Sequence, residues 1–275
     1  MRCATASALL TERLPVTHDV FLDSLEDHVF EIRLERPERM NALGVATVVA
    51  LQQAVAEAAA QRARVLLIRG SGRAFCAGAD LKERKGMDLD ARLAHNASIN
   101  VAINAIAASK CVTIAVLNGL ALGGGLEMAL ACDLRIAASG ISLGLTESRV
   151  GAFPGAGGSQ RLPRVVGVSR ALHMMLTGEP VTSEYALGIG LVNEVVGGDE
   201  LVARAHALAR LLGSRSAPAL ATIKRLVYQG IEVPLADALR MERAALPAIL
   251  GSTDYAEGLA AFEEKRPPRF TGTVE

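Results

Sequence analysis

The alternation of hydrophobic and polar positions changes period several times along the chain, and each change marks an element. Residues 21–23 and 29–35 alternate apolar and polar, as in Val29-Phe30-Glu31-Ile32-Arg33-Leu34-Glu35, which predicts two strands. Turn-forming residues from Pro37 to Asn41 then lead into a predicted helix over 45–60, with Ala, Val and Leu on one face. The short apolar run within residues 64–69 reads as a buried strand. A small-residue loop and a charged patch, Lys82-Glu83-Arg84-Lys85, follow it. Residues 88–108 carry Leu93, Ile99, Ile103 and Ile106 at helical spacing. Residues 112–117 are the next strand, 126–131 an apolar helix, and 133–137 and 141–145 two further short strands.

The order strand, strand, helix thus recurs, without a tight sequence repeat. From Glu200 onward the strand-like runs stop, and helical patterns cover 200–212, 217–228, 234–250 and 254–265. Gly197-Gly198 marks the change. The predicted organisation is a flexible N-terminal tail (1–17), a mixed α/β core (18–198) and a C-terminal helical region (199–275).

Composition narrows the function. Of 275 residues, 51% are hydrophobic but only 3% aromatic, so the core must be built from Ala, Leu, Val and Ile. Lys plus Arg (29) equals Asp plus Glu (29), which leaves no basic field for a phosphate backbone and few rings for base stacking. Cys3, Cys76, Cys111 and Cys132 are widely spaced and the five histidines form no ligand-like cluster, so no metal is expected. Buried thiols fit a reducing compartment, the cytoplasm or, in a eukaryote, the mitochondrial matrix. The uncharged run from Cys111 to Leu126 is interrupted by Asn118-Gly119 and does not read as a membrane span.

Candidate chemistry lies in Asn118-Gly119-Leu120-Ala121-Leu122-Gly123-Gly124-Gly125-Leu126-Glu127 and in a second glutamate, Glu147. Three glycines opening an apolar helix present unpaired amides where the helix dipole favours negative charge, which suits an oxyanion. A first-turn glutamate and another on a later loop supply acid–base groups beside it. The same residues also admit a plain reading: a tight turn, and a glutamate that complements the dipole.

Three segments together resemble the crotonase family, the enoyl-CoA hydratase/isomerase superfamily. They are Arg73-Ala74-Phe75-Cys76-Ala77-Gly78-Ala79-Asp80-Leu81, the glycine loop with Glu127, and Glu147 followed by Phe153-Pro154-Gly155-Ala156-Gly157-Gly158-Ser159-Gln160-Arg161-Leu162. The likeness runs from about Phe30 to Phe270, and Asn118 through Ala138 together with Phe262-Glu263-Glu264-Lys265-Arg266-Pro267-Pro268-Arg269-Phe270 look most like the 3-methylglutaconyl-CoA hydratase branch. The resemblance implies a spiral of ββα repeats with a C-terminal helical trimerisation region, trimers often pairing into hexamers. It implies an enoyl-CoA hydratase of fatty-acid metabolism that adds water across the 2,3 double bond. The amides of Ala79 and Gly124 would form the oxyanion hole, and Glu127 and Glu147 would be the catalytic carboxylates. Ala77, Ala79, Asp80, Leu81 and Lys82 would bind coenzyme A, with Phe262 and Lys265 reaching the coenzyme A of a neighbouring subunit. No separate cofactor is implied, since coenzyme A is part of the substrate. Thr146 departs from the proline common before the second glutamate, which bears on loop stiffness rather than on the carboxylate.

Other readings are double-bond isomerisation, 3-methylglutaconyl-CoA hydration or dehydration on the same site, RNA binding, and a catalytically dead scaffold. The superfamily's isomerases typically keep only the second carboxylate, whereas both are present here. RNA binding in the methylglutaconyl branch is attributed to lysines of the first long helix, and residues 45–60 contain no Lys or Arg. The dead-scaffold reading is disfavoured because every chemical position is filled.

Overall fold

The computed structural model describes residues 13–17 and 19–274. Its larger sheet has the strand order β1 (Arg13–Thr17), β2 (Val20–Glu26), β3 (Val29–Leu34), β4 (Val65–Gly70), β6 (Val112–Leu117), β8 (Leu134–Ala138) and β11 (Glu194–Val196). The first two pairings are antiparallel and the rest parallel. A smaller sheet runs β10 (Val181–Thr182), β9 (Ser142–Gly144), β7 (Leu120–Leu122), β5 (Ala74–Cys76). The recurring unit therefore has a definite form. β4, β6 and β8 lie in the large sheet, each is followed by a partner (β5, β7, β9) in the small one, and a helix or turn comes next.

Period and burial agree where the sheet is covered on both sides. On β4, Leu66 and Ile68 enter the main core with α1 (Val45–Ala60) and α3 (Leu89–Ala107), while Val65 and Leu67 face the other way. That second face is closed by α8 (Leu201–Gly213), through Leu201, Ala205 and Ala209. A strand buried on both faces has no polar side, which is why residues 64–69 read as one apolar run. The same face holds a buried charge cluster: Glu31 accepts from Arg69 at 2.9 and 3.2 Å, and His206 Nε2 lies 3.1 Å from its other oxygen. Burial pushes the Glu31 carboxyl up, but the His206 and Arg69 contacts together hold it below the ordinary carboxylate value.

Two predicted boundaries shift. Arg13–Thr17 pairs with β2 as an edge strand, so the ordered sheet begins before residue 18; residues 1–12 of the expected tail lie outside the described residues. Residue 198 is not a boundary in packing either, because α8 belongs to the core it covers. The remaining helices, α9 (Ala217–Gly230), α10 (Leu235–Leu250) and α11 (Thr253–Glu263), leave it. Lys224 ties α9 back by an ion pair to Asp133 at 2.9 Å, and Arg64 reaches the carbonyls of Phe270 and Gly272. α10 has no buried residue at all. Among the described residues no helix is long and apolar enough to cross a membrane.

Candidate active site

The site is made where the small sheet hands the chain to its helices. After β5 the loop from Ala77 to Asp80 runs beside Leu43: Leu43 N donates to the Gly78 carbonyl at 2.7 Å, and Asp80 N to the Leu43 carbonyl at 3.1 Å. These bonds occupy the residues on either side of Ala79 and turn its own N–H the opposite way. After β7 the chain turns at Gly123 (φ 50°, ψ −125°), a conformation that an L side chain resists, and α4 (Gly124–Ala131) begins. The sequence reading joined the glycines directly to the strand at 112–117; β7 intervenes, and Gly124 and Gly125 are the first helical residues. A Cβ at Gly125 would lie 2.1 Å from the Cys76 carbonyl oxygen, so the start of α4 rests against the end of β5. That close approach brings the two loops together: a Cβ built on Gly124 would be 3.6 Å from Ala79 N. Among the described residues, neither the Ala79 nor the Gly124 N–H donates to a backbone acceptor outside its own helix or strand, and as a helix-opening residue Gly124 has none within it.

Glu127 lies one turn into α4, 3% exposed. One carboxylate oxygen, Oε1, accepts from Ala156 N at 2.7 Å and Gly158 N at 2.8 Å. Gly158 opens α5 (Gly158–Val166), so this carboxylate caps a helix N-terminus that favours its charge. Burial nevertheless raises its pKa above the ordinary value, against the pull of those two amides and of Arg161 and Arg84. Arg161 supports the arrangement from behind, donating to the Ala156 carbonyl at 3.1 Å and to Asn104 Oδ1 at 2.7 Å.

Glu147 starts a single 3-10 turn, Glu147–Val150. Its carboxyl lies over Gly123, where a Cβ would approach Oε1 to 3.1 Å. Its Oε2 is buried with no partner among the described residues. Burial is the main cause that pushes this carboxyl up to about 7; the charge of Glu127 adds to the rise, and its own backbone N–H and Arg84 oppose it. Two glutamates on one cavity thus differ in kind: one is held by two main-chain donors at a helix start, the other keeps a buried oxygen without a partner.

The cavity they share is about 150 Å³ and includes Ala77, Ala79, Leu81, Gly124, Glu127 and Glu147. Its wall also includes Arg84, Asn96, Ile99, Thr146, Val150 and Phe153. The remaining sequence candidates lie elsewhere in the single chain. The Asp80 side chain is buried and structural: it caps α2 (Leu81–Lys85) through Lys82 N and Glu83 N and lies 3.3 Å from Arg36. Lys82 is exposed beside the cavity, while Phe262 (84% exposed) and Lys265 sit on and just beyond α11. Sequence reasoning missed the Ala156 and Gly158 amides. Their signal was Gly155-Ala156-Gly157-Gly158 opening a helix, the same pattern that was recognised before Glu127. It missed Arg84 as well, which read as part of a solvated charge run. Among the described residues, no three His, Cys, Asp or Glu side chains converge as a metal-ligand set.

A split two-sheet spiral with two unpaired amides and two unlike buried carboxylates on one cavity matches a known class. The sequence profile of the enoyl-CoA hydratase/isomerase family matches residues 24–273, and the chain belongs to that family, the crotonases. Among solved structures, the enoyl-CoA hydratase of Bacillus anthracis superposes with a TM-score of 0.90 at 39% identity, covering 92% of this chain and 99% of that one. The cattle enoyl-CoA hydratase domain-containing protein 2, mitochondrial, is 42% identical over 89% of this chain and 84% of its own length. Mouse methylglutaconyl-CoA hydratase, mitochondrial, is 41% identical over 77% of this chain and 69% of its own. The fold is that of the crotonases with a helical C-terminal region, and the family is one of hydratases and isomerases.

Proposed function

We propose that this protein is an enoyl-CoA hydratase that adds water reversibly across the 2,3 double bond of an enoyl thioester. The observation that carries the reading is the inequality of Glu127 and Glu147 beside the unpaired Ala79 and Gly124 amides. In hydration, ionised Glu127 takes a proton from water as the water oxygen bonds to C3. The electrons of the double bond move to the thioester oxygen, where the Ala79 and Gly124 N–H groups stabilise the enolate. The enolate then takes a proton at C2 from protonated Glu147. Losing one such oxyanion donor typically raises the barrier by about 3–4 kcal/mol. A carboxyl with a pKa near 7 carries its proton in about half of the molecules at neutral pH, and its partner, fixed by two amides, accepts one; the pair titrates together.

The loop of Ala77, Ala79, Asp80 and Leu81 would carry the coenzyme A moiety through its backbone, with Lys82 meeting phosphate charge. Phe262 and Lys265 would act on the coenzyme A of an adjacent copy in a trimer or paired trimers. No metal, flavin or nicotinamide takes part, because the chemistry is proton transfer plus electrostatic stabilisation. The test is direct: purified protein mixed with crotonyl-CoA should remove the conjugated thioester absorbance and yield 3-hydroxybutyryl-CoA, equally well after exhaustive chelation. Migration of the double bond in a 3-enoyl ester with no hydration of the 2-enoyl ester would replace this reading with isomerisation. Loss of activity on chelation, restored by a divalent ion, would overturn the mechanism.

A further inference from the structure

Asn96, Asn100 and Asn104 recur at four-residue spacing on α3, and the hydratase chemistry uses none of them. That spacing puts them on one face of the helix, and the face lies along the loop Gly155-Ala156-Gly157-Gly158. Asn100 Nδ2 donates to the Gly155 carbonyl at 2.8 Å, and lies 3.0 Å from the Asn96 carbonyl and 2.9 Å from Asn96 Oδ1. Two of these partners are main-chain oxygens that can only accept, which identifies the Asn100 atom as the nitrogen. Asn104 reaches the loop one step further back, through Arg161, which donates both to Asn104 Oδ1 and to the Ala156 carbonyl.

The link to the chemistry is the Gly155–Ala156 peptide. A trans peptide unit is planar, with its C=O and N–H pointing opposite ways, so a hydrogen bond that fixes one end aims the other. Asn100 holds the Gly155 carbonyl, and the Ala156 N–H at the opposite end donates to Glu127 Oε1 at 2.7 Å. The loop has little stiffness of its own: all but Ala156 are glycine, and Gly157 stands at φ 100°. Both loop amides bind Oε1, and among the described residues Oε2 has no hydrogen-bond partner. Setting Oε1 therefore aims Oε2, the oxygen left to take a proton from water.

We propose that Asn100 is a positioning residue for the reaction: through the Gly155–Ala156 peptide it aims the amide that holds Glu127, and so the carboxylate that activates water. The role of that carboxylate as base rests on the hydratase reading; the hold on it does not. A chain of aligned dipoles, from side-chain amide to peptide to carboxylate, strengthens each bond in it. The other groups that favour the charged form of Glu127 are the Gly158 amide, Arg161 on α5 and Arg84 on α2, while Glu147 shares the cavity as a like charge when ionised. On α3, Asp90 and Arg92 stand exposed, and the buried His95 has its pKa lowered by burial and then by Arg84, which keeps the ring neutral.

Asn100→Leu keeps the volume and removes the donor. The pH profile of kcat/KM for crotonyl-CoA has an acid limb set by Glu127, which must be ionised to act. Losing a hydrogen bond to the charged form raises a carboxyl pKa, so in Asn100→Leu this limb should move up by about one unit. The profile then narrows toward the limb of Glu147, and kcat at the optimum should fall about tenfold or more. The calorimetric Kd of butanoyl-CoA, which cannot react, should keep its wild-type value. A second readout needs no substrate: infrared titration of the carboxyl band, with the Glu127 contribution identified by its loss in Glu127→Gln, should show the same upward shift. Asn100→Gln, which keeps an amide N–H, should recover part of both. If Asn100→Leu does not fold, Asn100→Ala, a good helix former at this half-buried position, carries the same expectations. A uniform fall in kcat with both titrations unmoved overturns the proposal and leaves Asn100 a structural residue. If wild-type protein does not hydrate crotonyl-CoA but the infrared shift appears, the hydratase reading fails and the hold on Glu127 is upheld.

Discussion

Two regions rich in the same aliphatic residues meet opposite fates. In α4 every residue is buried, and β4 and β6 are apolar on both faces. In α10 no residue is buried, and Leu235, Leu239, Leu246 and Leu250 all lie exposed, as do Ile223 and Val227 on α9 and Leu259 and Phe262 on α11. Hydrophobicity therefore does not decide burial within one chain; what the chain supplies as cover does. The core provides its own cover, with α8 closing the last open face. The three final helices leave these apolar side chains uncovered by the chain itself, and the proposed assembly would cover them with other copies.

The sharpest test of a self-contained core is chemical. Glu127→Gln and Glu147→Gln keep shape and remove proton transfer, so each should cost ~10²–10⁴ or more in kcat while substrate binding and the mass of the assembly stay unchanged. Near wild-type turnover in either variant would remove that glutamate from the mechanism. Gly124→Pro deletes an N–H at the start of α4 and should lose at least about 10²–10³ in kcat. Lys82→Ala, at the exposed edge, should chiefly raise KM, because a phosphate contact stabilises ground and transition states alike. A kcat defect with unchanged KM in Lys82→Ala would contradict that division.

The tail is tested by charge. Leu239→Glu with Leu246→Glu should convert an assembly of trimers into monomers in sedimentation at micromolar concentration, with the core's circular dichroism retained. A wild-type chain that sediments as a monomer would break the comparison itself.

The smallest effects are pH-dependent. Glu147 titrates near 7, so the singly protonated pair loses its last proton there, and hydration kcat/KM should fall about tenfold per unit above it. Water addition releases no net proton, so the reverse dehydration must share that limb; opposed profiles would show that the two carboxyls do not work as one unit. Stability carries the same signature. The folded-state pKa is raised from 4.5 to about 7, so the folded chain binds the extra proton between those values and loses stability as pH rises through them. Urea midpoints should decline over that window, and Glu147→Gln should flatten the decline.

Legibility in the sequence followed the reach of each interaction. The helix at Val45–Ala60 and the strand at Val112–Leu117 were read to the residue, because periodicity and apolar runs are local signals. β5 and β7, three residues each, were not, since they exist through pairing with one another rather than through any pattern of their own. Glu127, Glu147, Ala79 and Gly124 were legible as a motif set, and the structure places them on one cavity. The role of Asp80 as a helix cap was hidden, because its partners Arg36 and the α2 amides meet it only after folding. Arg84 was hidden for a different reason: a run of charges looks solvated until one member is seen facing inward.

On the proposed mechanism the groups that would hold the reacting centre are almost all main-chain: the amides of Ala79 and Gly124 for the substrate oxygen, and those of Ala156 and Gly158, which bind the Glu127 carboxylate. A point mutation can exchange a side chain but cannot, short of proline, delete an N–H. On that mechanism, changes at Arg84, Ile99, Val150 or Phe153 would reshape the cavity wall while leaving the apparatus intact. The division is one between heritable hardware and editable fittings, and it lets the selectivity of such a site drift over generations without passing through an inactive ancestor.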